Sequence, residues 1–222
     1  MRISKAAIVF AIFISFFLTG SALVYSQETL SRTVRKNILK SEKSPPIRLK
    51  FNRKFKYAGS QSFVLFDNSQ VEQHYFVLAD KQMNVKRIYT VQFESFLSNN
   101  TKTYDYKITD KLNLAGDDYM VDFIAGDIEN AVIDRPASDS ARRWKYLKEK
   151  NYKLPAEVIG RRFIRLLDEG KRSEILIIYQ EDVQNFKTTL AELDEPNNKE
   201  KLDKVFAEVA KNSTDGFNVL EK

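Results

Sequence analysis

The sequence predicts an α+β fold: an antiparallel meander of about six to eight strands, helices packed on one face, and a helical tail at the C-terminal side. Three observations predict it. Runs with apolar side chains at alternate positions fill residues 48–125; short links of turn-forming residues separate them; and the apolar spacing becomes helical after residue 138 and again after 184. Short links join antiparallel neighbours, because a parallel crossover needs a dozen residues or more.

The 222-residue chain opens with Arg2 and Lys5, then runs without a charge through residues 6–25 (AAIVFAIFISFFLTGSALVY). A basic start, an apolar stretch and small residues near its end form the pattern of a signal peptide over 1–26, and the same length would serve as an uncleaved membrane anchor. Thr19, Gly20 and Ser21 dilute the run and favour cleavage. Arg32, Arg35, Lys36, Lys40 and Lys43 oppose export, since positive flanks prefer the cytoplasmic side. The expectation is an extracytoplasmic protein, periplasmic or secreted, or one held at the membrane by residues 6–25. Without cysteine it must be stable on core packing alone. Residues 27–47, polar and basic and ending in Ser44-Pro45-Pro46, read as a linker, and 48–222 as a single α+β domain.

From residue 48, RLKFNRKFKY sets Leu49, Phe51, Phe55 and Tyr57 on one face of a strand, and Arg48, Lys50, Asn52, Lys54 and Lys56 on the other. Further strands are predicted at 61–67, 73–80, 85–97, 103–109 and 118–125. Ser138-Asp139-Ser140 offers N-caps for a helix over 140–151, with Ala141, Trp144 and Leu147 on one side. Residues 155–182 fit either a hairpin turning at Asp168-Glu169-Gly170-Lys171 or a helix from Pro155 feeding one strand; Gly170 among polar residues favours the hairpin. The tail over 184–211 has helical spacing, and Pro196-Asn197-Asn198 divides it into two helices.

Composition excludes much chemistry. With no Cys and one His, disulfide frameworks, thiolate zinc sites and cysteine nucleophiles are absent. No glycine-rich phosphate loop or hydrolase signature occurs, so no cofactor is expected. His74 lies on a strand face with Phe76 and Leu78, and the ordinary reading is a satisfied histidine. Six acids, Asp117, Asp118, Asp122, Asp127, Glu129 and Asp134, share 18 residues that contain no base. They read mainly as a solvated edge, and otherwise as a metal or carboxylate-pair site centred on Asp118 and Asp122. The twelve Phe or Tyr from Tyr57 to Phe123 read as core.

The most distinctive stretch is 32–56, with ten Lys or Arg and one Glu. Its aromatics point to the buried side, which argues against nucleic acid, and its bases suit an anionic membrane surface or envelope polymer. The expected function is therefore an exported, non-catalytic binding protein for an apolar or anionic envelope ligand, using Arg48, Lys50, Lys54 and Lys56 on the outer face. Two alternatives stand beside it: a carboxylate-based hydrolase or divalent-metal enzyme, and a membrane-anchored protein-interaction module. Expected partners are a lipid or an anionic envelope polymer.

Overall fold

The computed structural model describes residues 32–220; the expected signal peptide or anchor over 1–26 lies outside the described residues. The fold is α+β, with two antiparallel sheets. The larger has seven strands in the order β4-β5-β6-β10-β9-β8-β7: β4 (Lys56–Leu65), β5 (Ser69–Ala79), β6 (Val85–Phe96), β10 (Ser173–Asp182), β9 (Glu157–Leu166), β8 (Asp117–Asp127) and β7 (Lys111–Leu114). It consists of two meanders joined where β6 pairs with β10. The predicted hairpin is present as β9 and β10, turning through 167–172.

The smaller sheet has the order β1-β2-β3-β11: β1 (Arg32–Arg35), β2 (Ile38–Ser41), β3 (Ile47–Phe51) and β11 (Phe217–Leu220). Here the structure corrects the linker expected at 27–47. From Arg32 onward that segment is a hairpin paired to β3, and Leu39 and Ile47 are buried. The strand expected over 48–57 is likewise two strands. A turn at Asn52–Phe55 separates them, closed by Phe55 N donating to Asn52 O (3.0 Å) and Lys54 N to Asn52 Oδ1 (3.1 Å). Leu49, Phe51 and Phe55 are buried as their spacing demands, while Tyr57 is 37 % exposed.

Each face of the large sheet is covered. On one face lie the small sheet and helix α4 (Lys199–Asp215), which buries Val205 and Val209. The seam is aromatic: Phe51 stacks on Phe76 with centroids 3.8 Å apart, and Phe217 meets Tyr89 and Phe163 at 5.6 and 5.5 Å. On the other face lie α1 (Ile128–Asp134) and α2 (Asp139–Glu149), whose Trp144 and Leu147 pack on Tyr75, Val77, Ile88 and Val158. Helices thus occupy both faces rather than one, because the small sheet covers only part of its side and α4 closes the rest. As predicted, Ser138 caps α2, its hydroxyl accepting from Ala141 N at 3.1 Å. The tail divides at Pro196–Asn198 into α3 (Leu190–Leu193) and α4.

The strand expected at 103–109 is absent. β10 already occupies the edge beside β6, so residues 97–110 cross the sheet to reach β7 at its far side. Their alternation lays Tyr106 and Ile108 onto Ile164, Leu176 and Ile178 instead of forming a ladder. No helix among the described residues is long and apolar enough to cross a membrane.

Candidate functional site

The outer face of the small sheet carries the predicted basic residues. Register places Lys40 beside Arg48, and Ile38 between Arg35 and Lys50, so each of two rows across β1, β2 and β3 carries two cations. Arg35, Lys40, Arg48 and Lys50 are exposed, and Lys54 and Lys56 extend the patch through the turn and into the start of β4. Lys40 pairs with Glu42 at 2.8 Å; Arg35, Arg48, Lys50, Lys54 and Lys56 make no ion pair among the described residues. Asp215, at the end of α4, borders Lys50 and Arg53 in a shallow groove. The inward residues of the same strands, Val34, Leu39, Leu49 and Phe51, lie in the core, which holds the cations outward by simple alternation.

The structure does not bring Asp118 and Asp122 together. They sit four residues apart on β8, about 13 Å along the strand. Asp122 is held by Arg162 through two bonds of 2.9 and 2.5 Å, and Asp118 accepts from Asn113 Nδ2 at 2.8 Å. Asp117 pairs with Arg165, and Asp127 caps α1 through Asn130 N. The four acids of this block on β8 are thus partnered carboxylates spread along one strand, while Glu129 and Asp134 lie on α1. Among the described residues no group of three or more His, Asp or Glu is placed to hold a metal ion.

His74 is fully buried, in a chain of polar groups on the face beneath the small sheet. Its Nε2 lies 2.7 Å from Glu72 Oε1, the Tyr57 hydroxyl lies 3.1 Å from its Nδ1, and Arg32 Nη1 donates to Glu72 Oε2 at 2.8 Å. A neutral ring donating to Glu72 is an acceptor for Tyr57, so one tautomer satisfies both bonds. Burial alone would push the Glu72 carboxyl up, but the bonds from His74 and Arg32 outweigh it and hold the group at about 2. The Arg32 guanidinium also lies 4.0 Å over the Phe93 ring. This network fastens β1 to β5.

Sequence reasoning missed the opposite face. There the side chains of Gln61, Gln73, Gln92 and Glu94 form a polar run across β4, β5 and β6, ending with Gln92 Nε2 donating to Glu94 Oε2 at 2.8 Å. Glu94 stands directly opposite Glu174 on β10. Both are buried, and burial pushes both carboxyls up, Glu174 to about 8 with the Tyr106 hydroxyl bonded to it at 2.7 Å.

Beside that pair, α1 and α2 roof a cavity of about 240 Å³ over β8, β9 and β10. Its lining joins apolar side chains, Ile128, Trp144, Val158 and Ile178 among them, to the polar groups of Asp127, Asp139, Ser140, Arg143, Arg162 and Gln180. Arg143 is 3 % exposed; its Nη2 donates to Ser140 Oγ at 3.0 Å, while Nε and Nη1 have no acceptor. Gln180 Oε1 has no donor. Desolvation pulls the Arg143 guanidinium below its usual value, opposed by Asp139 and Tyr75 nearby. The sequence signal was a base on the apolar side of a capped helix, one residue before its only Trp.

No family model matches the chain, and no curated protein or solved structure matches it significantly.

Proposed function

We propose that the protein is an extracytoplasmic, non-catalytic binding protein whose small sheet docks its outer face on an anionic lipid surface. The observation that carries this reading is the concentration of exposed cations without ion pairs, Arg35, Arg48, Lys50, Lys54 and Lys56, on one side of the fold. Chain length supports it too. The six steps from residue 26 to Arg32 reach at most about 20 Å, so an uncleaved apolar segment would keep this face close to the bilayer. Removal of that segment leaves the surface itself to supply the attraction.

Each base near an anionic surface contributes about 1 kcal/mol before salt screening. Replacing Arg48, Lys50, Lys54 and Lys56 together with Gln therefore lowers partitioning onto phosphatidylglycerol-containing vesicles by about a thousand-fold at low salt. Co-sedimentation of the variant and the parent chain measures this. Equal binding by both, or binding by the parent that is indifferent to salt, defeats the reading.

A further inference from the structure

We infer that the cavity under α1 and α2 is a binding site for a small organic anion that presents one carboxylate from an apolar body. This site lies on the opposite side of the large sheet from the cationic face, and its assignment does not depend on that face. A buried guanidinium is costly unless charge and hydrogen bonds compensate it. Arg143 lies over the Trp144 ring at 4.8 Å and has one hydrogen-bond acceptor, the neutral Ser140 Oγ, while Nε and Nη1 have none. Asp139, in the same helix, also lines the cavity but forms no ion pair with Arg143; its Oδ1 accepts from Ser140 N at 2.8 Å. A carboxylate is the group that a guanidinium with free donors recognises best in a water-poor site.

The rest of the lining selects the remainder of the ligand. Ile128, Trp144, Val158 and Ile178 offer apolar walls, and Gln180 Oε1 is a free acceptor for a hydroxyl or N–H on the guest. A dry cavity of roughly 150 Å³ holds benzene, so about 240 Å³ accommodates roughly ten non-hydrogen atoms. The charge is limited to one. Arg143 can face one carboxylate, but a second negative charge on the guest finds no free base, since Arg162 is already committed to Asp122 and Asp127 and Asp139 also line the cavity. The rim is open at Ala125, Gly126 and Ala131, which are exposed or half-buried.

Gly126 makes the site testable without disturbing Arg143. It lines the cavity with an ordinary backbone angle, and a Cβ added there meets nothing within 4 Å. Gly126→Leu therefore adds an apolar side chain at the mouth of the cavity, where it obstructs entry without a clash against the fold. The experiment is calorimetric titration of the purified protein with phenylacetate, hexanoate and 4-hydroxybenzoate, and with 2-phenylethanol and inorganic phosphate as contrasts. Saturable one-to-one binding of at least one carboxylate is expected, tenfold or more tighter than 2-phenylethanol and phosphate. Arg143→Gln should weaken it by ten- to a hundred-fold, the range of one charged hydrogen bond, and Gly126→Leu should abolish it with an unchanged melting temperature. Absence of binding for all three carboxylates overturns the inference. So does equal affinity for the alcohol, preference for phosphate, or binding that survives Gly126→Leu.

Discussion

Glu72 shows how a buried carboxylate is kept charged: two donors on separate elements, His74 beside it on β5 and Arg32 on β1, converge on its two oxygens. Its folded value of about 2 lies below the ordinary 4.5. Such a group stabilises the fold fully above pH 4.5, and that contribution is lost as pH falls toward 2. The magnitude is on the order of 2 kcal/mol, below the full linkage value because the Arg32 side chain reaches solvent. Glu72→Gln should flatten the acid limb of a pH–denaturation curve between those limits. An unaltered limb in urea melts would show that the network does not hold β1 down.

Within the large sheet, the pairing of β6 with β10 sets two carboxyls against each other. Directly opposite residues in antiparallel strands have Cβ atoms about 5 Å apart, a destabilising arrangement for two like charges. The fold tolerates Glu94 opposite Glu174 by keeping Glu174 protonated to about 8. The sign is the reverse of that for Glu72: a raised acid stabilises below its unfolded value near 4.5 and loses that contribution as pH rises toward 8. Glu174→Gln retains the shape without the charge, so it should raise stability at pH 8 by about 2 kcal/mol or more and remove most of the slope between pH 5 and 8. Thermal melts across that interval measure it, and a variant as pH-sensitive as the parent would refute it. Gly160 on neighbouring β9 shows how closely the backbones approach: a Cβ there would lie 1.9 Å from Tyr179 O.

At the scale of the whole molecule, aromatic rings weld the two sheets together. Phe217 is 4 % exposed, with Phe51, Tyr89 and Phe163 around it. Phe217→Ala should cost about 3–5 kcal/mol, read as a lower denaturant midpoint; a loss under 1 kcal/mol would mean the small sheet contributes little. The sequence made the long elements legible because their periodicity is sustained. β5, β6, the β9–β10 hairpin and the capped helix α2 all follow their patterns. It hid the small sheet because four-residue strands carry too few alternations, and because the partner of β3 lies near the other end of the chain. It misread 103–109 because one-sided alternation is the same for a strand in a ladder and a strap laid on a sheet. Of the two proposed sites, the cations of β3 were legible from alternation. Arg143 was not, since a helical base gives no sign in one dimension of which neighbours will surround it.

The pairing of β11 with β3 also fixes an order of events. Phe51 and Phe217 are register partners, so β3 keeps an open edge until the residues after α4 are available. A chain that emerges N-terminus first therefore presents its basic hairpin long before it can complete the sheet beside it. Contacts of such large sequence separation form slowly, since loop-closure entropy opposes them before they contribute. During that interval the cations are displayed on an unfinished scaffold, one edge of which is still open.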